Sequence, residues 1–384
     1  MAEQLTVRVD QNSVGLLHRE KAEFIFNYEA LVFSDDFISL TMPVRAKGYV
    51  HSQLLPVFEM HLPEGYLLSL LKKQFSKLTE TDDFGLLSLL ASSIRGRVNY
   101  KGLTSTESTL ALSDLLHSKQ PELFNELVVR FALKSPLSGV QPKVLVQVEN
   151  KATLKLDDYI VKSWGSDYPQ LALNEFFCMT VVKEAGITVP EFYLSDDETL
   201  FVMKRFDITA DGACLGFEDM CVLQAKQRDD KYTGSYEQVA KTIKLFTSPD
   251  LRRASLQQFF KMVVLNNVLQ NGDAHLKNFG LIYEDVHSIR LAPAYDVVST
   301  TAYIKNDIAA LTLLGSKKWW KRDFLIRFGV ETCDLTAKEA RFLVEECQVA
   351  LAKVHKKIQA RLVLEKDGDK LNVLSHLATL MSLR

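Results

Sequence analysis

The sequence predicts an α+β protein built in three consecutive parts, and three observations lead to that reading. The first residues alternate apolar and polar side chains with period two. The middle of the chain repeats a strand, strand, helix, strand, strand order. The remainder is mostly helical in its periodicity. In order along the chain, QLTVRV, VGLLH, AEFIFNYE and FISLTMP each read as a β segment bounded by polar or turn residues. From Leu62 the period changes. YLLSLLKKQF follows Pro63-Glu64-Gly65, and FGLLSLLASSI follows the TETDD cluster, so both read as helices. The polar stretch TSTES marks a boundary, giving a small α+β unit over residues 1–108. Strands return at VLVQVE and YIVK. The run LALNEFFCMTVVKEAG reads as a helix stopped by Gly186, and FYLSDDETLFVMKRFD as two strands joined by a charged turn, which makes a second unit over 109–208. Residues 209–384 are the helical part. In SLQQFFKMVVLNNVLQ the residues Leu256, Phe259, Phe260 and Val263 keep the spacing of one buried helix face. A short β interruption is expected around residues 279–282 and 289–291, and KQRDDKYTGS (226–235) is the most linker-like stretch.

Composition excludes several classes. The chain has 384 residues, 47% apolar and 24% charged, which is incompatible with wholesale disorder. Lys and Arg number 46 against 48 Asp and Glu. Such a balance excludes a protein that holds nucleic acid mainly by bulk positive charge, and leaves room for local basic patches only. The five cysteines are an odd, scattered set without a CxxC pair, unlike a disulfide framework or a structural zinc site. The start MAEQLTVRVDQ lacks a basic-then-apolar leader pattern, and no apolar run reaches ~18 residues. The expectation is a soluble, cytoplasmic protein that spans no membrane.

Chemistry concentrates just after the long helix, in Asn271-Gly272-Asp273-Ala274-His275-Leu276-Lys277-Asn278. Asp273 and Asn278 have the D-x-x-x-x-N spacing of a phosphotransfer catalytic loop. There a carboxylate accepts the proton of the incoming hydroxyl, and an amide oxygen coordinates a Mg²⁺ that neutralises phosphate charge. The same pair would also suit a polar turn between helix and strand. Asp296 stands alone among apolar neighbours in Ala294-Tyr295-Asp296-Val297-Val298. A lone carboxylate there calls for a metal or for backbone N–H partners, and with Asn278 it would make a Mg²⁺ ligand pair. Lys162 ends the strand YIVK in the manner of a phosphate-contacting lysine, and Glu175 follows on the next helix, where a kinase places that lysine's partner. Ser135-Pro136-Leu137-Ser138-Gly139-Val140-Gln141-Pro142-Lys143 precedes a strand and contains a glycine that lets backbone N–H groups approach phosphate, although it is neither GxGxxG nor a Walker A loop. Each feature has an ordinary structural reading. Their order is that of a kinase, and so the fold class becomes a protein-kinase-like two-lobed fold, with an α/β N-lobe, a mainly helical C-lobe and an extra N-terminal α+β subdomain.

Taken together, SGVQPK, KRFD, NGDAHLKNFG and LAPAYDVVST resemble the HipA family of serine/threonine kinases, the toxins of bacterial toxin–antitoxin pairs. The N-terminal unit, with VGLLHREKAEFIFNYE and LPEG, resembles the small subdomain that precedes the kinase lobes in the long form of that family. The resemblance implies ATP and Mg²⁺ as cofactors, Asp273 as proton acceptor, and Asn278 and Asp296 as Mg²⁺ ligands. It implies Lys162 on the phosphates with Glu175 as its ion-pair partner. Lys204, Arg205 and Phe206 would form the hinge beside adenine, largely through their backbone, and Asp207 would lie next to the ribose. Ser138, Gly139, Val140, Gln141 and Lys143 would cover the phosphates, and His275, Lys277 and Tyr295 would line the site. The implied substrate is an aminoacyl-tRNA synthetase, glutamyl-type first. The implied partner is a HipB-like helix-turn-helix antitoxin, through which alone operator DNA would be reached. Autophosphorylation in the glycine-bearing loop is expected at Ser138, with Ser135 second, because Pro136 replaces the serine often found three residues before the glycine. A phosphoserine there adds about −1.5 to −2 charge where the ATP phosphates would lie.

Two other functions fit parts of this pattern. Gly272-Asp273-x-His275-x-x-Asn278 also looks like the catalytic loop of phosphoinositide kinases, so a lipid or small-molecule phosphotransferase is one alternative. A catalytically idle kinase fold serving as a corepressor is another, against which stands the presence of the lysine, the base and both metal ligands. The cluster Lys317-Lys318-Trp319-Trp320-Lys321-Arg322 is read as a helix start with its rings packed on the lobe, a docking patch being the rival reading.

Overall fold

Period-two alternation in the first residues produces a five-stranded antiparallel sheet of order β4-β3-β2-β1-β5, from β1 (Gln4–Val9), β2 (Asn12–Glu20), β3 (Glu23–Tyr28), β4 (Tyr49–His51) and β5 (Val98–Tyr100). A helical turn α1 (Pro56–Glu59) and helix α2 (Asp83–Leu90) cover it, α2 being capped by the Asp82 carboxylate on the Gly85 N–H at 2.8 Å. The computed structural model describes residues 4–64, 82–100, 111–118, 143–150, 155–165 and 167–382, with Leu68, Leu123 and Leu127 besides. Apart from Leu68, the helix expected at YLLSLLKKQF lies outside the described residues, as do the TSTES boundary and residues 135–142 of the glycine-bearing loop. Within the N-terminal unit one expectation fails: FISLTMP is not a strand. Ser39 and Leu40 turn their donors to the buried Glu218 carboxylate instead, at 2.5 and 2.8 Å, so the segment's polar groups are spent on a side chain rather than a sheet partner.

After a short helix α3 (Leu112–Leu116) comes a four-stranded antiparallel sheet of order β6-β7-β9-β8, from β6 (Lys143–Asn150), β7 (Lys155–Lys162), β8 (Phe192–Leu194) and β9 (Phe201–Lys204). Between β7 and β8 runs α4 (Leu171–Glu184). Its end is a Schellman motif: Gly186 sits at φ +71, its N–H reaches Lys183 O at 3.0 Å, and Ile187 N–H reaches Val182 O at 3.3 Å. The sheet divides its side chains by parity. Val144, Val146, Val148, Val161 and Val202 join one core with Val7, Leu17, Phe26 and Phe58 of the N-terminal unit. Phe201 and Met203 of β9 join the larger core of α4 and the helical part. The N-terminal unit thus shares a core with the middle sheet instead of hanging beside it.

The helical part opens with β10 (Gly216–Asp219), a strand with no expectation behind it, which pairs with β11 (Gly280–Tyr283) and then β12 (Arg290–Leu291). Its helices are α5 (Met220–Leu223), α6 (Tyr236–Phe246), α7 (Pro249–Val268), α8 (Arg322–Thr332), α9 (Ala337–Leu362) and α10 (Gly368–Ser382). Capping boxes start α6 (Ser235 with Gln238) and α9 (Thr336 with Glu339), and proline opens α7. The face Leu256, Phe259, Phe260 and Val263 is buried as its spacing demands. Trp320 packs on the lobe: it exchanges hydrogen bonds with Asn267 at 2.6 and 2.9 Å and is almost wholly buried. Among the described residues no helix is long and apolar enough to cross a membrane. Phe259 meets Phe279 and Phe328 edge-on at 5.5 and 6.4 Å. Phe259→Ala should cost about 3–5 kcal/mol of unfolding free energy, read as a lower midpoint in urea.

Candidate active site

The cleft between the two lobes, about 990 Å³, brings together residues from distant parts of the chain. Lys162, Asp273, Asn278 and Asp296 all line it, as do Arg205, Phe206, Asp207, His275, Lys277 and Tyr295. Glu175 lies behind Lys162, fully buried. Lys204 does not line the cleft. Side chains alternate along β9, so Met203 faces inward and Lys204 faces outward to Asp157 at 2.8 Å. The side chain of Lys143, like Ser135, Ser138, Gly139, Val140 and Gln141, lies outside what the structure describes.

The sheet end puts the Lys162 ammonium between two carboxylates, 2.6 Å from Glu175 Oε1 and 2.6 Å from Asp296 Oδ1. Burial works against its charge, but Asp296 and then Glu175 outweigh burial and hold its pKa above the ordinary lysine value. Neighbouring Asn174 fixes the other side of this contact. Its Nδ2 donates to Ser299 O at 2.9 Å and its Oδ1 accepts from Ser299 N–H at 2.8 Å, tying α4 to the segment that presents Asp296.

The loop around Asp273 is set by the end of α7. Gln270 takes a left-handed φ of 52, Asn271 N–H returns to Asn266 O at 2.9 Å, and Asn271 Oδ1 accepts from Asp273 N–H at 3.1 Å. A side chain at Gly272 does not fit this packing, since its Cβ would lie 2.8 Å from Ile308 O as well as against the Asp307 carboxylate. Asn278 Nδ2 donates to Asp273 O at 2.8 Å, so both residues of the D-x-x-x-x-N pair belong to one hydrogen-bonded loop. His275 is driven down to about 4, by burial first and by Lys231 next. Its Nε2, 3.8 Å from Asp273 Oδ1, is therefore a neutral ring beside a carboxylate rather than half of an ion pair. Tyr295 donates to Lys277 O at 2.7 Å and stacks on Phe206, ring centres 5.4 Å apart. The Asp207 carboxylate is engaged by Arg205 at 2.6 and 2.9 Å.

Several residues here escaped the sequence reading. Glu64, from the LPEG stretch, accepts from Lys231 at 2.8 Å and from Lys277 at 2.7 Å. Lys231 and its neighbour Tyr232 come from the stretch expected to be a linker. That stretch is anchored instead by Arg228 on Asp83 at 2.8 Å, and the Tyr232 hydroxyl donates to Asp273 Oδ1. LPEG stands out as a motif and KQRDDKYTGS as a linker-like stretch, but neither signal says that the two meet.

The fold and site together define a two-lobed, kinase-like protein. The model of the HipA-like C-terminal domain matches residues 135–356 and that of the HipA N-terminal domain matches residues 5–101, so the chain belongs to the HipA family. Among curated proteins it is 29% identical over 313 residues to "Putative kinase Y4dM" of Sinorhizobium fredii, covering 75% of this chain and 72% of that one. It is 31% identical over 202 residues to a "Putative kinase" of Haemophilus influenzae, covering 47% of this chain and 58% of the other. Among solved structures it superposes with a TM-score of 0.70 and 18% identity on a chain of the Shewanella oneidensis MR-1 complex of HipA, HipB and operator DNA, covering 98% of this chain and 95% of that one.

Glu64 gives a pH-dependent test. Burial raises its pKa, but Lys277 and Lys231 reverse that and hold it well below the usual carboxylate range. Its folded-state pKa is depressed, so the stability it contributes is complete above the unfolded value of about 4.3 and is lost as pH falls below it. Glu64→Gln should lower unfolding free energy by about 3–5 kcal/mol at neutral pH. The gap to the native chain should narrow in urea titrations repeated at successively lower pH.

Proposed function

We propose that this chain transfers the γ-phosphoryl group of ATP to a serine or threonine hydroxyl of a protein. The observation that carries this reading is the meeting of Lys162, Asp273, Asn278 and Asp296 in one cleft. In the transfer, the acceptor oxygen bonds to the γ-phosphorus, the bond to the ADP oxygen breaks, and Asp273 takes the hydroxyl proton. Lys162, already charged and held by Glu175, would exchange its Asp296 contact for phosphate oxygens. The donor set fits Mg²⁺. The Asn278 Nδ2 is committed to Asp273 O, so its amide oxygen is the atom it offers a cation, and Asp296 supplies one carboxylate. Hard oxygen ligands in this small number are what Mg²⁺ takes, its other positions going to water and phosphate. Once bound it would neutralise charge on the β- and γ-phosphates. Arg205 and Phe206 would border the adenine, with Asp207 toward the ribose, and Tyr295 would back the site through the Phe206 stack.

Membership of the HipA family supports the toxin role. It also supports an aminoacyl-tRNA synthetase as substrate, glutamyl-type first, and a cytoplasmic location. The Shewanella complex supports a HipB-like antitoxin as partner, with operator DNA reached through it. Autophosphorylation is proposed at Ser138, then Ser135, to be read by peptide mass spectrometry after incubation with Mg-ATP.

The chain incubated with γ-labelled Mg-ATP and total cell protein should label protein serine or threonine. Asp273→Ala should cut labelling by about 10²–10⁴-fold with an unchanged urea midpoint. Label appearing in lipid or small molecules instead, or full labelling by the variant, would overturn the reading.

A further inference from the structure

Tyr232 touches the proposed base in the way a substrate should. Its hydroxyl donates to Asp273 Oδ1, the bond that an acceptor serine or threonine must make before its proton leaves. Burial first, and Asp273 next, raise the phenol pKa well above its usual value, so the group is a donor throughout the physiological range. The backbone beneath it is pinned from several sides. Leu276 N–H donates to Lys231 O at 3.0 Å, the Lys317 ammonium donates to Tyr232 O at 2.9 Å, and Thr233 N–H donates to Asp230 O at 2.8 Å. The side chain is different. It is 39% exposed and leans edge-on against His275, ring centres 5.0 Å apart. A rotation about its own χ angles would take the hydroxyl off Asp273 and toward solvent without moving the turn.

We propose that Tyr232 is an internal stand-in for the acceptor hydroxyl, and that it sets selectivity for a protein hydroxyl over water. This rests on the reading of Asp273 as the base. With no acceptor present, a water molecule that reached Asp273 would give up a proton to it, bond to the γ-phosphorus and release ADP and inorganic phosphate. Tyr232 holds the carboxylate oxygen that this water needs. A protein acceptor binding across the cleft brings its own hydroxyl and takes the place of the phenol. Water binds without such support and competes poorly.

The test is the steady rate of ADP and phosphate formation by the full-length chain with Mg-ATP and no added protein. Tyr232→Phe should raise it about 10- to 100-fold, the range for losing one hydrogen bond to a charged group, with the KM for ATP unchanged. Tyr232→Leu should do the same if the hydroxyl is what matters. The double variant Tyr232→Phe with Asp273→Ala should fall to the rate of Asp273→Ala alone. Equal rates in the native chain and in Tyr232→Phe, whether measurable or nil, would overturn the inference. So would a raised rate that survives in the double variant. Should Asp273→Ala label protein as well as the native chain, the base assignment fails. Should it be inactive while Tyr232→Phe behaves as the native chain, only the role of Tyr232 fails.

Discussion

A charged lysine in a dry place organises this molecule. The Lys162 side chain is 3% exposed, and an ammonium so placed is tolerable only with carboxylates beside it. One comes from α4 and the other from the segment after β12, so satisfying one charge fixes the sheet, the N-lobe helix and the C-lobe against each other. Asn174 reinforces the arrangement with neutral hydrogen bonds from the residue before Glu175 to Ser299. A network of this kind contributes less to stability than to uniqueness of geometry. Two carboxylates around one ammonium also leave an excess of negative charge facing the cleft.

The N-terminal unit extends the same logic. It shares a core with the outer face of the kinase-like sheet. It also sends polar groups directly to the helical part: Glu64 to Lys277 and Lys231, Asp83 to Arg228, and Ser39 to Glu218. Lys277 lies one residue before Asn278. Burial alone would depress its pKa, and Asp219 and Glu64 together raise it instead. The loop that carries Asp273 and Asn278 is therefore held in part by a carboxylate from outside both lobes. Without this unit the Lys231 and Lys277 ammonium groups would lose the Glu64 carboxylate that both of them contact.

What the sequence reveals and what it hides follow from the range of the interactions. Asp273 and Asn278 were legible because the loop that holds them is local, closed by a bond from the Asn278 side chain to the Asp273 backbone. Lys162 and Glu175 were legible because a strand, a turn and a helix fix their separation. Glu64 was not, since its partner Lys231 is 167 residues away and only the assembled fold brings them together. The stretch 226–235 reads as a linker, but Arg228 meets Glu59 and Asp83 and Lys231 meets Glu64, all far away in sequence. FISLTMP had the apolar content of a strand, but strand content does not say whether an edge is available to pair with. Lys204 sat within a motif, yet the alternation of β9 sends it to the far face. Parity along a strand is readable in principle, and it turns the Met203 side chain to the cleft instead.

Asp296 shows how the site is kept ready. It adopts φ +59, a left-handed conformation that a non-glycine residue holds at a cost of roughly 1–3 kcal/mol. An aspartate so placed is retained only where its surroundings over-determine it. Here they do: Ala294 N–H is held by Thr188 O at 2.8 Å, Ser299 is locked by Asn174, and the carboxylate is drawn to Lys162. Anchors on both sides fix the backbone, so the strain is sustained by the packing of the lobes rather than by the ion pair alone. Two things are thereby separated within one residue, the backbone conformation being held by hydrogen bonds on both sides and the carboxylate by Lys162.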